Sequence, residues 1–259
     1  MSVTVITGAS SGLGAGLARR YARDGVALAL TARDAGRLDA VAGACRVLGA
    51  RVETKALDVR DRAATRAWLE DLDARTPVER VIANAGLHGG TGPTGELESE
   101  DDAYAVIDTN LLGALHVTLP CIAPMRGRGR GQIAFVSSLS AFAPLPDAPA
   151  YCGTKAALVA HGLALREKLK GTGVTVNVIC PGYVKTPMGD TYAEGFRPFE
   201  MSADEAADRI VRGLARDRDV IEFPKLLAAG ARGASLLPER LRRLGMGGFK
   251  FKLKGGAGA

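Results

Sequence analysis

The sequence predicts an α/β chain built on one doubly wound parallel sheet of about seven strands, with helices on both faces. Three observations carry this expectation. Short, nearly uninterrupted apolar runs alternate with helical patterns along the chain, as in strands covered on both sides by crossover helices. A Gly/Ser-rich turn separates the first strand from the first helix. The 259 residues suit one such domain, and a 47% hydrophobic content with only 5% aromatic residues gives it an aliphatic core.

In chain order, segments read as strands stand at 3–7, 27–32, 51–57, 80–83, 132–137, 175–180 and 219–223. Helical patterns fill the intervals near 12–24, 34–48, 62–74 and 150–170. A long helix starts near residue 100, where Ser99-x-x-Asp102 resembles a capping box, and is expected to pause near Pro120 or Pro124. Another opens at Ser202-x-x-Glu205. Right-handed crossovers then place ligands at the carboxyl ends of the strands. Residues 1–224 read as a single domain.

Residues 225–259 read as a basic extension, partly helical or disordered, with a short helix near 236–244. They hold eight Lys/Arg against one acid, while the whole chain carries +6. The basicity therefore belongs to the tail, and no nucleic-acid partner is expected. A frayed, solvated end is the preferred reading, with contact to an anionic membrane or an acidic carrier protein as the alternative. No uninterrupted apolar run reaches the roughly 18 residues of a membrane span. The cysteines Cys45, Cys121, Cys152 and Cys180 lack paired spacing, so neither disulfide framework nor metal site is expected, and the compartment is read as cytoplasmic.

The turn Gly8-Ala9-Ser10-Ser11-Gly12-Leu13-Gly14 has the spacing GxxxGxG. Such glycines let the backbone approach a pyrophosphate lying at a helix N-terminus. The second strand ends in Ala32-Arg33-Asp34. Ala32 stands where an NAD enzyme would carry an acid, and the Arg33 guanidinium suits a 2′-phosphate. Asp34 reads as the N-cap of the next helix. NADP(H) is therefore favoured over NAD(H).

Tyr151 and Lys155 lie one helical turn apart, on one face. A phenol working near neutral pH needs its pKa lowered by about 3 units, roughly 4 kcal/mol. An ammonium at ~4 Å supplies on the order of 4 kcal/mol at an effective dielectric near 20. The pair can thus move a proton.

With these residues the chain resembles the short-chain dehydrogenase/reductase family, which has a Rossmann-type fold. "TGASSGLG" is similar to its glycine turn, Asp58-Val59 to its adenine-side acid, and Asn84-Ala85-Gly86 to its NNAG motif with Ala83 for the first Asn. Asn110, Ser138, Tyr151 and Lys155 match its catalytic residues; Pro181, Gly182, Val184 and Thr186 match the segment beside the nicotinamide. The resemblance implies hydride transfer between NADP(H) and a carbonyl or secondary alcohol. Tyr151 would give or take the proton, Ser138 hydrogen-bond the substrate oxygen, Lys155 hold the ribose, and Asn110 position a water. It also implies a homodimer or homotetramer. A ketoacyl reductase acting on carrier- or coenzyme-linked chains is the alternative enzyme, and a non-catalytic NADP(H) sensor the alternative of another class.

Other residues are read as structural. Cys152 is a small residue packing at a helix start, His116 and His161 sit within helices, and Trp68 anchors a helix. His88, in the loop near the mouth of the site, reads as an exposed loop residue, with contact to substrate as the alternative. The apolar residues Met188, Tyr192, Phe196, Pro198 and Phe199 resemble the family's lid over a medium-sized apolar substrate.

Overall fold

A computed structural model describes residues 2–91, 96–190 and 197–235. The chain runs β1 (Val3–Thr7), α1 (Gly12–Arg23), β2 (Ala27–Ala32), α2 (Ala35–Val47), β3 (Val52–Ala56), α3 (Arg62–Arg75) and β4 (Val78–Ala83). It continues through α4 (Glu100–Ile107), a π-helical turn (Asp108–Leu112), α5 (Gly113–Gly127), β5 (Gly131–Val136), a 3₁₀ turn (Leu139–Ala141), α6 (Pro149–Leu169) and β6 (Val174–Pro181). Last come β7 (Val184–Lys185), α7 (Pro187–Asp190), β8 (Met201–Ser202), α8 (Ala203–Ala215), β9 (Val220–Phe223) and α9 (Lys225–Ser235).

The main sheet has seven strands in the order β3-β2-β1-β4-β5-β6-β9, all parallel. Chain order reverses between β1 and β4, which makes the crevice at their carboxyl ends the expected ligand site. Side-chain alternation splits the core in two. Ile6, Leu28 and Leu30 face α1, α2 and α8 through Leu17, Leu38, Ala42 and Ile210. Val5, Val81 and Phe135 face α3, α5 and α6 through Trp68, Leu72, Met125 and Leu158. Each buried aliphatic side chain contributes about 1.5–3 kcal/mol.

The helices start where short polar side chains can take orphan amides. Asp34, Asp61 and Ser99 each accept from the backbone N–H three residues on. Ser202 and Glu205 close a full capping box. At Ser99 the box is half made, because its hydroxyl donates to the Asp102 carboxylate instead.

Two expectations need correction. The long helix does not pause at Pro120 or Pro124; both lie inside α5. Their missing N–H groups fall on a half-exposed flank. The irregularity comes earlier, at Asp108–Leu112, where the Gly113 N–H reaches back to the Asp108 carbonyl. Secondly, the stretch Glu100–Gly127 is long and apolar enough, by length and composition, to cross a bilayer. Here it packs Val117, Cys121 and Met125 into the core beside α3.

Of the expected extension, residues 225–235 form α9. It adds Ala228 and Leu227 to a third cluster with Leu139, Val159 and Val178. The short helix expected near 236–244 lies outside the described residues.

Candidate active site

The carboxyl ends of the strands open onto a cavity of about 1110 Å³. Every residue predicted for the site lines it except Asn110, which stands behind the wall.

At the floor, the turn after β1 brings backbone against backbone. Gly8 (φ +64°) and Gly12 (φ +52°) occupy the left-handed region that favours glycine. A Cβ on Gly14 would stand 2.3 Å from the Gly8 carbonyl oxygen, and one on Gly8 would stand 2.8 Å from Ala85 Cα. Asn84 fastens this turn to β4: its Nδ2 donates to the Thr7 carbonyl at 2.9 Å. Thr7 Oγ1 accepts in return from the Asn84 and Ala85 amides. Ser11 caps α1 without a side-chain hydrogen bond, so the first-turn amides of a 12-residue helix point at the cavity ready for an anion.

At one end, Arg33, Arg37 and Asp58 line the cavity. The Asp34 carboxylate accepts from the Arg37 backbone N–H at 2.9 Å and from Arg37 Nε at 2.6 Å. Asp34 is thus the N-cap, and these bonds hold its carboxyl below the usual range. Asp58 is gripped by Arg60, whose Nε and Nη2 both donate to Oδ2. Val59 is fixed from behind by His116, with Nδ1 3.0 Å from the Val59 carbonyl.

At the other end, α6 presents Tyr151 and Lys155. Lys155 Nζ lies 5.4 Å from the centre of the Tyr151 ring and donates to the Val136 carbonyl at 2.9 Å. Burial pushes this ammonium down to about 8, because a charge deprived of water disfavours its charged form. The two serines after β5 separate cleanly. Ser137 is 2% exposed, and its hydroxyl donates to the Lys155 carbonyl. Ser138 Oγ accepts from the Ser140 N–H, which leaves its hydroxyl hydrogen to donate toward the cavity.

Asn110 sits in the π-helical turn, 1% exposed. Its amide clamps both backbone groups of Leu87: Oδ1 accepts from Leu87 N at 2.6 Å, and Nδ2 donates to Leu87 O at 2.8 Å. A Cβ on Gly86 would come within 3.1 Å of Asn110 Oδ1 and 3.7 Å of Lys155 Nζ. The glycine is what lets the loop pass between them.

Sequence reasoning missed three features. His88 is not an exposed loop residue: its ring stacks on Tyr151, centroids 4.3 Å apart at 22°. Arg37 shares the end of the cavity assigned to Arg33, and its place three residues past the N-cap was the available signal. Leu226, Leu227, Ala231 and Ala234 of α9 wall the cavity; their helical spacing was masked by the tail's charge. Cys152 packs as expected, its thiol against the backbone of Leu145. Of the lid residues, Tyr192 and Phe196 lie outside the described residues, while Met188 and Phe199 line the cavity. Thr186 packs over Gly12 and accepts from the Gly189 N–H.

A family model described as short chain dehydrogenase matches residues 2–195. An "Uncharacterized oxidoreductase" of Myxococcus xanthus is 39% identical over 240 residues, covering 92% of this chain and 93% of its own. Among solved structures, a short-chain dehydrogenase from Sphingobium yanoikuyae in complex with NADPH is 29% identical, with a TM-score of 0.78 over 92% of this chain and 97% of that one. Actinorhodin polyketide ketoreductase with NADPH is 26% identical, with a TM-score of 0.79 over 88% and 97%. A short chain dehydrogenase/reductase from Burkholderia phymatum in complex with NAD shares the fold at a TM-score of 0.80 and 24% identity, over 89% and 92%.

Proposed function

Because this chain belongs to the short-chain dehydrogenase family, we propose that it is an NADP(H)-dependent oxidoreductase acting on a carbonyl or secondary alcohol, with Tyr151 as proton donor and acceptor. The single observation that carries this reading is the buried Lys155 ammonium, beside the Tyr151 ring and opening on the cavity that also holds the glycine turn.

The residues fit a dinucleotide. Glycines stand where any Cβ would block the floor, and the α1 amides face a pyrophosphate position. Lys155 has further N–H groups for ribose hydroxyls beyond the one donated to Val136. Bound NADP(H) supplies the hydride. Arg33 and Arg37 favour a 2′-phosphate, and the tie of Asp34 to Arg37 leaves no carboxylate committed to ribose there. The two NADPH-bound neighbours support the same preference.

In the reductive direction the Tyr151 hydroxyl gives its proton to the carbonyl oxygen. Ser138 donates to that oxygen and holds it against the phenol, where charge develops. The Lys155 ammonium stabilises the phenolate left behind, and Asn110 keeps the loop at Leu87 in place around both. The wall beyond Tyr151 is apolar, made by Leu139, Leu145, Leu227 and Ala231. A ketone with an apolar arm is the substrate class it suits. A ketoacyl substrate is the second reading, favoured by the likeness to a polyketide ketoreductase.

We further read the protein as cytoplasmic and as a homodimer or homotetramer. The test of function is direct: protein, NADPH or NADH, and a panel of ketones graded in apolar length, followed by loss of nicotinamide absorbance. Turnover with NADPH supports the reading; cofactor binding without turnover of any ketone or alcohol overturns it.

A further inference from the structure

We propose that His88 is a positioning residue for Tyr151: its imidazole, stacked on the phenol ring and tethered to its own loop, fixes the direction in which the hydroxyl meets the substrate. The inference rests on Tyr151 being the proton donor.

The tether is built from the backbone up. Asn110 holds both the N–H and the carbonyl of Leu87, the residue before His88. The following residue, Gly89, is wedged so tightly that a Cβ there would stand 2.1 Å from Glu98 Oε1 and 3.0 Å from Val106 Cγ2. Two residues further, the Thr91 N–H donates to the Asp147 carbonyl at 2.8 Å. Glu98 itself accepts from the Ala150 N–H at 3.0 Å, so the side chain that Gly89 packs against is bonded to the residue preceding Tyr151. Residues 87–91 are thus bonded and packed against Glu98, Asp147 and the head of α6 as one piece.

Within that piece the His88 ring has little freedom. Its Nδ1 lies 2.6 Å from the Gly89 carbonyl. A carbonyl only accepts, so Nδ1 carries the hydrogen. Burial, with the Lys155 charge nearby, holds the imidazole down to about 4. It is therefore neutral at pH 7, and Lys155 remains the cation that acts on the phenol. Ring centroids 4.3 Å apart at 22° are a stacked contact, favourable beyond the area it buries. The contact opposes a swing of the ring about Cα–Cβ, the rotation that carries the hydroxyl oxygen, since turning about Cβ–Cγ leaves that oxygen on the axis. A general acid displaced by even 1 Å from its target loses on the order of a hundredfold in rate.

The test compares H88F, which keeps an aromatic face, with H88L, which removes it. Three readouts are used: NADPH affinity by fluorescence, kcat and KM on the ketone turned over fastest, and NMR of ring-labelled tyrosines with the Tyr151 signals assigned by their loss in Y151F. The expected result for H88L is a kcat lowered tenfold or more, KM and NADPH affinity within about twofold, and moved Tyr151 signals. H88F restores at least a third of kcat and keeps the Tyr151 signals displaced by a neighbouring ring. The proposal is overturned if H88L keeps its kcat or Tyr151 signals, if its loss lies in KM alone, or if H88F falls as far as H88L. Y151F run in parallel separates the two levels. An active Y151F defeats the proton-donor reading itself, whereas an inactive Y151F beside a fully active H88L defeats only the role of His88.

Discussion

Lys155 Nζ and the Tyr151 ring centre are 5.4 Å apart on one face of α6, and the lysine is buried, reaching only the cavity. This arrangement has a thermodynamic signature. The folded-state pKa of Lys155 is lowered from 10.5 to about 8 by desolvation. Between pH 8 and 10.5 the unfolded chain therefore binds more protons than the folded one, and the group's contribution to stability rises with pH across that window. Below pH 8 the desolvation cost is fully present. K155M, which removes the charge, is expected to melt at or above the wild-type temperature at pH 7 without cofactor, the gap closing toward pH 10. Activity at pH 7 falls about a hundredfold or more. Paired melting curves at the two pH values check this.

Ser137 and Ser138 are neighbours with different work. S138A is expected to lower kcat by a factor of about 10²–10³, the cost of losing a donor aimed at developing negative charge, with a stability loss no larger than the about 0.5–2 kcal/mol of the cap it gives the Ser140 N–H. S137A removes a buried hydroxyl that holds the Lys155 carbonyl. It should cost about 1–3 kcal/mol of stability. Denaturant titration beside steady-state kinetics distinguishes them.

The contrast between these serines marks how far the sequence reaches. Strand alternation shows that the two face opposite ways, but both border the cavity, and only the packing of β5 against α6 shows that the Ser137 hydroxyl is committed to the Lys155 carbonyl. Most of the seven parallel strands were legible as short apolar runs between helical patterns; β3, an edge strand carrying Glu53 and Lys55, was legible from its place between two helices. The glycine turn was legible because its spacing reflects a close approach of backbones, seen at Gly14 and Gly8. The break at Asp108–Leu112 was not, because a π-turn has no sequence breaker; the prolines drew attention to a half-exposed flank instead. His88 was misread because nothing local announces a stack on a residue 63 positions away; it depends on Asn110 clamping Leu87. In α9 the net charge of the tail hid the small apolar stripe facing the cavity.

Arg33 and Arg37 set the cofactor prediction. R33A should raise the KM for NADPH about tenfold to a hundredfold, since a hydrogen bond to a charged group is worth about 1.5–3 kcal/mol. The KM for NADH should move less than about threefold. D34A should lose about 0.5–2 kcal/mol of stability as a broken N-cap, without abolishing the use of NADH. Kinetics with both cofactors, plus melting curves, check the pair.

Asn84 links β4 to the glycine turn through the Thr7 carbonyl. N84A should lower stability by about 1–3 kcal/mol and weaken NADPH binding, because the turn is no longer held at the spacing a pyrophosphate needs. Calorimetric binding of NADPH to the folded variant measures the second effect separately from the first.

The most direct measurement is carbonyl reduction by Y151F with NADPH. General acid catalysis contributes about 10²–10⁴ in rate, so activity should fall below one hundredth of wild type while fold and NADPH affinity are kept. A variant that binds NADPH normally and still reduces the ketone at more than a few per cent of the wild-type rate would contradict Tyr151 as the proton donor.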